Sequence, residues 1–261
     1  MPAHFYEDHG AGFPIILIHG HPFNRTMWAP QTAFLGKHYR VIVPDLCGYG
    51  ENRQCGDKTL LSTFASDVRG LADLLGLEKF VLGGSSMGGQ IALECYRQSR
   101  ERIAALVLAD TFAQLDTPER KQLRLTTADR LISEGMGRYS DEELQKMIAP
   151  EHITGMPAVA EHVLRMMKNT SPRGAAAALR GRAERVDYTP LLPKIDVPVL
   201  IIVGDRDQYT PVPDAQFMHI KIRYSKIAVI DHAGHMANLE QPDAFNRIVL
   251  EFLATVLPGV V

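Results

Sequence analysis

Six short apolar runs set the frame of this chain: Pro14 to Ile18, Tyr39 to Val43, Phe80 to Leu82, Ala105 to Ala109, Pro198 to Val203 and Lys226 to Ile230. Runs rich in Val, Ile and Leu, without polar alternation, suit strands covered on both faces, the condition of a parallel sheet. The intervals between them are long enough for crossover helices. Helical spacing is present in Thr59 to Leu75, Met87 to Arg97, Val212 to Ile220 and Pro242 to Val256; in the last, Phe245, Ile248, Val249, Phe252 and Leu253 recur on one face. The pattern predicts an α/β fold with a doubly wound, mostly parallel sheet.

One interval breaks the alternation. From Thr111 to about Pro193 no convincing strand occurs, only Ala, Leu, Met and Arg-rich helical stretches separated by Gly and Pro. The expected organisation is a core made of residues 1–110 and 194–261, with a helical cap, residues 111–193, inserted in it. A chain of 261 residues is long enough for one large core and such an insertion. The small-residue run Gly174 to Ala178 is accounted for by helix propensity. Residues 111–194 hold 13 Lys and Arg against 11 Asp and Glu, an asymmetry too small to name an anionic substrate.

A formal net charge of -2 provides no broad basic field for nucleic acid or anionic lipid, and no apolar segment has the length of a membrane span. Met1 to Gly12 carries Glu7 and Asp8 and lacks the basic and apolar regions of a secretory signal. These features lead us to expect a cytoplasmic protein with a small-molecule partner, and neither nucleic acid nor membrane. Cys47, Cys55 and Cys95 are an odd set without metal-ligand spacing and read as reduced thiols, with Cys47 in a loop near the site.

The strongest chemical signal is Gly84-Ser85-Ser86-Met87-Gly88, directly after one apolar run and directly before a helical pattern. In G-x-S-x-G the serine sits on a sharp strand-to-helix turn that exposes its hydroxyl, and the flanking glycines remove side chains that would clash. Ser86 is the candidate nucleophile. A serine hydroxyl needs a base, and the base needs a carboxylate to fix its tautomer. Two histidines follow the last strand, in Asp231-His232-Ala233-Gly234-His235; His235 is preferred because it lies farther from the strand end, and His232 is the reserve. For the acid the candidates rank Asp207, then Asp110, then Asp205, each at a strand end. An oxyanion hole requires two backbone N–H groups, one following the nucleophile and one after an earlier strand, which points to Met87 and His21. His19 reads as a hydrogen-bonded core residue.

With these residues in hand, the chain resembles the α/β-hydrolase superfamily, and within it the 3-oxoadipate enol-lactonases, cofactor-free haloperoxidases and related bacterial esterases. The resemblance rests on His19-Gly20-His21-Pro22, Pro44 to Gly50, Gly84 to Gly89, Gly204 to Pro211, and Gly234-His235 followed by Glu240-Gln241-Pro242. It implies the acid at Asp207, three residues after Gly204, and the base at His235. Cys47 and Asn52 depart from the family pattern. The N-terminus leaves room for one strand before Pro14, implying seven strands instead of eight, and Ser171 to Pro193 is similar to the end of the enol-lactonase cap.

The expected function is that of a carboxylic ester hydrolase: Ser86 attacks an ester or lactone, His235 takes its proton, and water hydrolyses the acyl-enzyme. No metal or organic cofactor is required. The alternatives are C–C bond hydrolysis or perhydrolase/haloperoxidase chemistry with the same triad, and a hydrolase-fold ligand receptor with slow turnover.

Overall fold

The computed structural model describes residues 5–257; the first four residues of the Met1–Gly12 stretch and the last four of the 194–261 segment lie outside the described residues. The strands are β1 (Tyr6–His9), β2 (Pro14–Ile18), β3 (Arg40–Pro44), β4 (Phe80–Ser85), β5 (Ile103–Ala109), β6 (Val199–Gly204) and β7 (Ser225–Ile230). They form one sheet in the order β1-β3-β2-β4-β5-β6-β7. β1 pairs antiparallel to β3, and all other pairings are parallel. Among the described residues a single strand therefore precedes Pro14. β4 runs beyond Leu82 because Gly83 and Gly84, poor strand formers alone, pair on both sides, with Leu17 and Ile18 of β2 and Val107 and Leu108 of β5.

Alternate strand residues enter opposite layers. Ile15, Leu17, Val43, Val107 and Ile202 pack with Leu35 of α1 (Ala29–Leu35) and with Phe245, Val249 and Phe252 of α11 (Pro242–Val256). Ile16, Ile18, Leu82, Leu108 and Ile201 pack with Phe64 and Val68 of α2 (Leu61–Leu74), Ile91 of α3 (Met87–Ser99) and Met218 of α9 (Val212–Lys221). Both faces of the inner strands are thus sealed, as their unalternating apolar runs require; the edge strand β7, expected to be covered as well, is half-exposed, with Val229 open to solvent. α1 has no counterpart in the sequence reading; at seven residues, with Pro30 in its first turn, it is too short to display a period.

Between β5 and β6 lie α4 (Pro118–Glu134), α5 (Gly137–Met147), α6 (Pro150–Gly155), α7 (Pro157–Asn169) and α8 (Pro172–Arg182), with no intervening strand among the described residues. The run Gly174 to Ala178 does more than favour a helix. A Cβ on Gly174 would lie 1.9 Å from the Gly48 carbonyl oxygen, and one on Gly181 would lie 1.7 Å from that of Thr59, so α8 rests on core backbone where only glycine fits. After α8 the chain rejoins the core through Tyr188 and Leu192, both fully buried. The fold closes with α9 (Val212–Lys221), α10 (Ala237–Glu240) and α11 (Pro242–Val256). No helix among the described residues is long and apolar enough to cross a membrane.

Candidate active site

The loops leaving the carboxyl ends of β2, β4, β6 and β7 converge on one cavity, where parallel α/β sheets generally hold their ligands. Ser86 follows the last residue of β4 and precedes the first of α3, with φ 55° and ψ -116°. That left-handed backbone is costly for a residue with a Cβ and is held by its surroundings. The Ser86 N–H donates to the Ala109 carbonyl at 2.9 Å, and its own carbonyl accepts the Thr111 hydroxyl at 2.7 Å. The crossing of β4 and α3 is tight: a Cβ on Gly84 would meet Gly88 backbone at 2.3 Å, and one on Gly88 would meet the Ile18 carbonyl oxygen at 2.2 Å. Ser86 lines the cavity, whereas the neighbouring Ser85 hydroxyl is buried without a partner among the described residues.

His235 and Asp207 are joined. His235 Nδ1 lies 2.7 Å from Asp207 Oδ2, and both side chains are buried. The same carboxylate accepts the Tyr209 N–H at 2.7 Å, the Thr210 N–H at 3.0 Å and the Thr210 hydroxyl. Burial pushes the Asp207 pKa up, but the imidazole and the Thr210 donors outweigh it and hold the carboxyl below its usual range. The Tyr209 ring packs against His235 with centroids 5.1 Å apart. The reserve candidates stand elsewhere. His232 is exposed and bonds Arg206 at 2.7 Å, and Asp205 accepts the Ala233 N–H at 3.1 Å. Asp110 is fully buried and accepts the Gly204 N–H at 3.0 Å; burial and the adjacent Asp207 charge raise its pKa well above the ordinary value.

Gly20 abuts the serine, since a Cβ there would lie 3.2 Å from Ser86 Cβ, which sets His21 beside Ser86 on the β2 side. Met87 opens α3 on the other side, and the first N–H groups of a helix have no intrahelical acceptor. The His21 ring also reaches the cavity, with its Nδ1 2.8 Å from the Tyr49 hydroxyl. Burial, with the charges of Arg182 and Arg124, depresses the His21 pKa well below the usual value, keeping the ring neutral. His19 is a core residue: its Nδ1–H donates to the Gly20 carbonyl at 2.8 Å while Nε2 accepts the Leu46 N–H at 3.0 Å.

Cys47 is not at this site. It lines a separate cavity of about 220 Å³ with Cys55, donates to the Gln54 carbonyl, and burial raises its pKa to about 11. All three cysteines are free. The Ser86 cavity measures about 280 Å³, and the inserted helices line it with Arg124, Arg130, Tyr139, Met147, Leu179 and Arg182, among others. Sequence reading assigned none of these, nor Thr210 and Tyr209. It also missed Glu240, whose buried carboxylate accepts the N–H groups of Gly234, Met236 and Ala149 and bonds His152. Thr210 stands inside the segment Gly204 to Pro211 and Glu240 inside Glu240-Gln241-Pro242, so position was a signal for both. Among the described residues no group of three or more His, Cys, Asp or Glu side chains is placed to hold a metal ion.

The Alpha/beta hydrolase family model matches residues 15–248 of the chain. A thermophilic esterase from Thermogutta terrifontis, solved with malate bound, superposes with a TM-score of 0.95 at 39% identity, over 97% of this chain and 93% of the esterase. The 3-oxoadipate enol-lactonase 1 of Acinetobacter baylyi is 29% identical over 230 residues, covering 88% of this chain and 84% of the relative. A non-heme haloperoxidase of Rhodococcus erythropolis is 28% identical over 263 residues, 95% of each chain. With a doubly wound sheet, a strand-to-helix serine and a family match over nearly its whole length, the chain belongs to the alpha/beta hydrolase family.

Proposed function

We propose that this protein is a serine hydrolase that cleaves a small carboxylic ester or lactone through an acyl-enzyme on Ser86. The observation that carries the reading is the buried bond between His235 Nδ1 and Asp207 Oδ2, in the same cavity that Ser86 lines. Accepting a hydrogen bond from Nδ1–H, Asp207 keeps the ring proton on Nδ1 and leaves Nε2 unprotonated and free to take the Ser86 proton. Ser86 Oγ bonds to the carbonyl carbon, the negative charge on the carbonyl oxygen is met by the His21 and Met87 N–H groups, and His235 returns the proton to the leaving alkoxide. Water then repeats the cycle on the acyl-enzyme. The helices of residues 111–193 act as the cap that shapes the pocket roof. The similarity to enol-lactonase and esterase relatives supports the ester or lactone class.

The haloperoxidase relative supports a second reading, in which hydrogen peroxide replaces water at the acyl-enzyme and yields a peracid. A panel of short acyl esters, aromatic esters and lactones, run beside peroxide-dependent halogenation, separates the two. The first reading expects Ser86-dependent ester turnover in excess of any halogenation, and Ser86→Ala without activity. Ester turnover by Ser86→Ala counts against both.

A further inference from the structure

The loop after β3, residues 45–52, holds the loop after β2 at three points. The Leu46 N–H donates to His19 Nε2 at 3.0 Å, and the Asp45 carboxylate accepts the Arg25 N–H at 2.8 Å and the Glu51 N–H at 2.9 Å. The third point is the 2.8 Å bond between the Tyr49 hydroxyl and His21 Nδ1. Of the three, only this one grips the residue whose N–H, in the function proposed above, meets the oxyanion. Tyr49 is itself held: its N–H donates to the Leu46 carbonyl at 2.9 Å, it bridges to Asn52, and the Gly48 N–H donates to the Asn52 carbonyl at 2.7 Å. Its ring is fully buried and meets the His19 ring edge-on, with centroids 5.2 Å apart.

Hydrogen-bond accounting fixes the direction of the Tyr49–His21 bond. Among the described residues the Tyr49 hydroxyl has one hydrogen-bond partner, His21, and the other ring nitrogen, Nε2, lies 3.4 Å from the Tyr139 hydroxyl of α5. Burial depresses the His21 pKa and raises that of Tyr49, so the ring is neutral, with one N–H and one bare nitrogen, and the phenol keeps its O–H. With the ring proton on Nδ1, the Tyr49 O–H would be a buried donor without an acceptor, which is unfavourable. With the proton on Nε2, Tyr49 donates to Nδ1 and Nε2–H faces the Tyr139 oxygen. The second tautomer satisfies both partners.

We propose that Tyr49 is a positioning residue of the oxyanion hole: by donating its O–H to His21 Nδ1 it fixes the His21 ring, and through the ring it aims the His21 N–H at the carbonyl oxygen. The proposal rests on the serine hydrolase reading with His21 as a backbone donor. The N–H in question belongs to the Gly20–His21 peptide. The carbonyl end of that peptide is held by two donors, His19 Nδ1–H at 2.8 Å and the Phe23 N–H at 3.1 Å. The N–H end has to stay open for the oxyanion, so a bond that fixes it has to come through the His21 side chain, and Tyr49 supplies that bond. Tyr49 does not line the Ser86 cavity and touches no member of the triad, so it acts only through His21.

Tyr49→Phe removes only the hydroxyl. On an activated ester kcat should fall by about ten- to a hundredfold, the order of loss that a misplacement of about 1 Å causes, with KM within about twofold of wild type. A trifluoromethyl ketone forms a tetrahedral adduct on Ser86 and places an oxyanion in the hole, so its affinity should fall by the same factor as kcat/KM. The matching methyl ketone, bound as the intact carbonyl, should keep its affinity. Added to His21→Ala, Tyr49→Phe should cost less than about twofold more, because the side chain it acts through is already gone. Imidazole 15N NMR reads the tautomer without turnover: in wild type the His21 signals, identified by their loss in His21→Ala, should show the proton on Nε2. A proton on Nδ1 in wild type overturns the proposal even if Tyr49→Phe fails to fold. Wild-type kcat in Tyr49→Phe, an undiminished loss on the His21→Ala background, or equal losses of affinity for the two ketones overturns it and leaves the serine hydrolase reading standing. A wild type without Ser86-dependent ester turnover overturns that reading and this proposal together.

Discussion

Glu240 Oε2 accepts the Ala149 N–H at 2.7 Å, across 91 residues of sequence, and so ties the loop carrying His235 to the inserted helices. The other oxygen of the same carboxylate takes the N–H of Gly234 at 2.8 Å and of Met236 at 3.2 Å, the residues on either side of His235. Glu240→Gln keeps one acceptor but turns an NH2 group toward backbone donors, and an unmet buried donor costs about 1–3 kcal/mol. The variant should melt several degrees lower and lose about tenfold in kcat/KM as His235 loses its fixed position, with its pH profile unmoved. Thermal melts and pH–rate curves check this, and a variant with unaltered Tm and kcat/KM contradicts it.

Asp207→Asn should be the most damaging carboxylate substitution at the site. The amide fits the volume and its oxygen still accepts from Tyr209 and Thr210, but its NH2 faces His235 Nδ1 and forces the ring proton onto Nε2. A histidine in that tautomer cannot take the serine proton, and the serine-protease precedent is a loss of about 10⁴ in kcat. Asp205→Asn should stay within about tenfold of wild type, since an amide oxygen also accepts the Ala233 N–H. Steady-state kinetics on one activated ester ranks the two; a crippled Asp205→Asn beside a normal Asp207→Asn would relocate the acid.

Asp110 sets a pH dependence of stability. In the unfolded chain its carboxyl ionises near about 3.9. In the fold, burial and the neighbouring charges of Asp207 and Glu240 hold the proton on to well above that value. Over the interval between, the native state binds more protons than the unfolded state, so this group removes stability as pH rises through it. Asparagine carries no such penalty and can still accept the Gly204 N–H. Asp110→Asn should therefore melt close to wild type at pH 4 and above it at pH 7.5. A difference in Tm that is the same at both pH values rules this out.

The sheet and the residues at its strand ends were legible because they depend on local signals. Apolar runs predict buried strands, and Gly84-Ser85-Ser86-Met87-Gly88 between a strand and a helix predicts a strained turn; β2, with bounds Pro14–Ile18, coincides with the expected run. The choice of Asp207 over Asp110 was not local. Both end strands, and only the bond to His235, 28 residues away, separates them. The pocket was illegible for the same reason. The net charge of residues 111–194 is small because each arginine is counted beside acids that it never meets, whereas in the fold Asp116 is shared by Arg124 and Arg185 and Arg182 is left without one. The Gly174 to Ala178 run had a local explanation, and its close approach to Gly48 becomes visible only once α8 is docked.

Covalent acylation of Ser86 Oγ is measured directly by a fluorophosphonate probe, which arrests the enzyme at that step. After stoichiometric labelling and digestion, mass spectrometry should find one adduct, on Ser86 in the peptide spanning β4 and α3. Labelling should be lost in Ser86→Ala and strongly slowed in Asp207→Asn, because the attack on phosphorus uses the same base. An adduct on Ser85 or any other residue, or undiminished labelling of Ser86→Ala, would show that Ser86 is not the nucleophile.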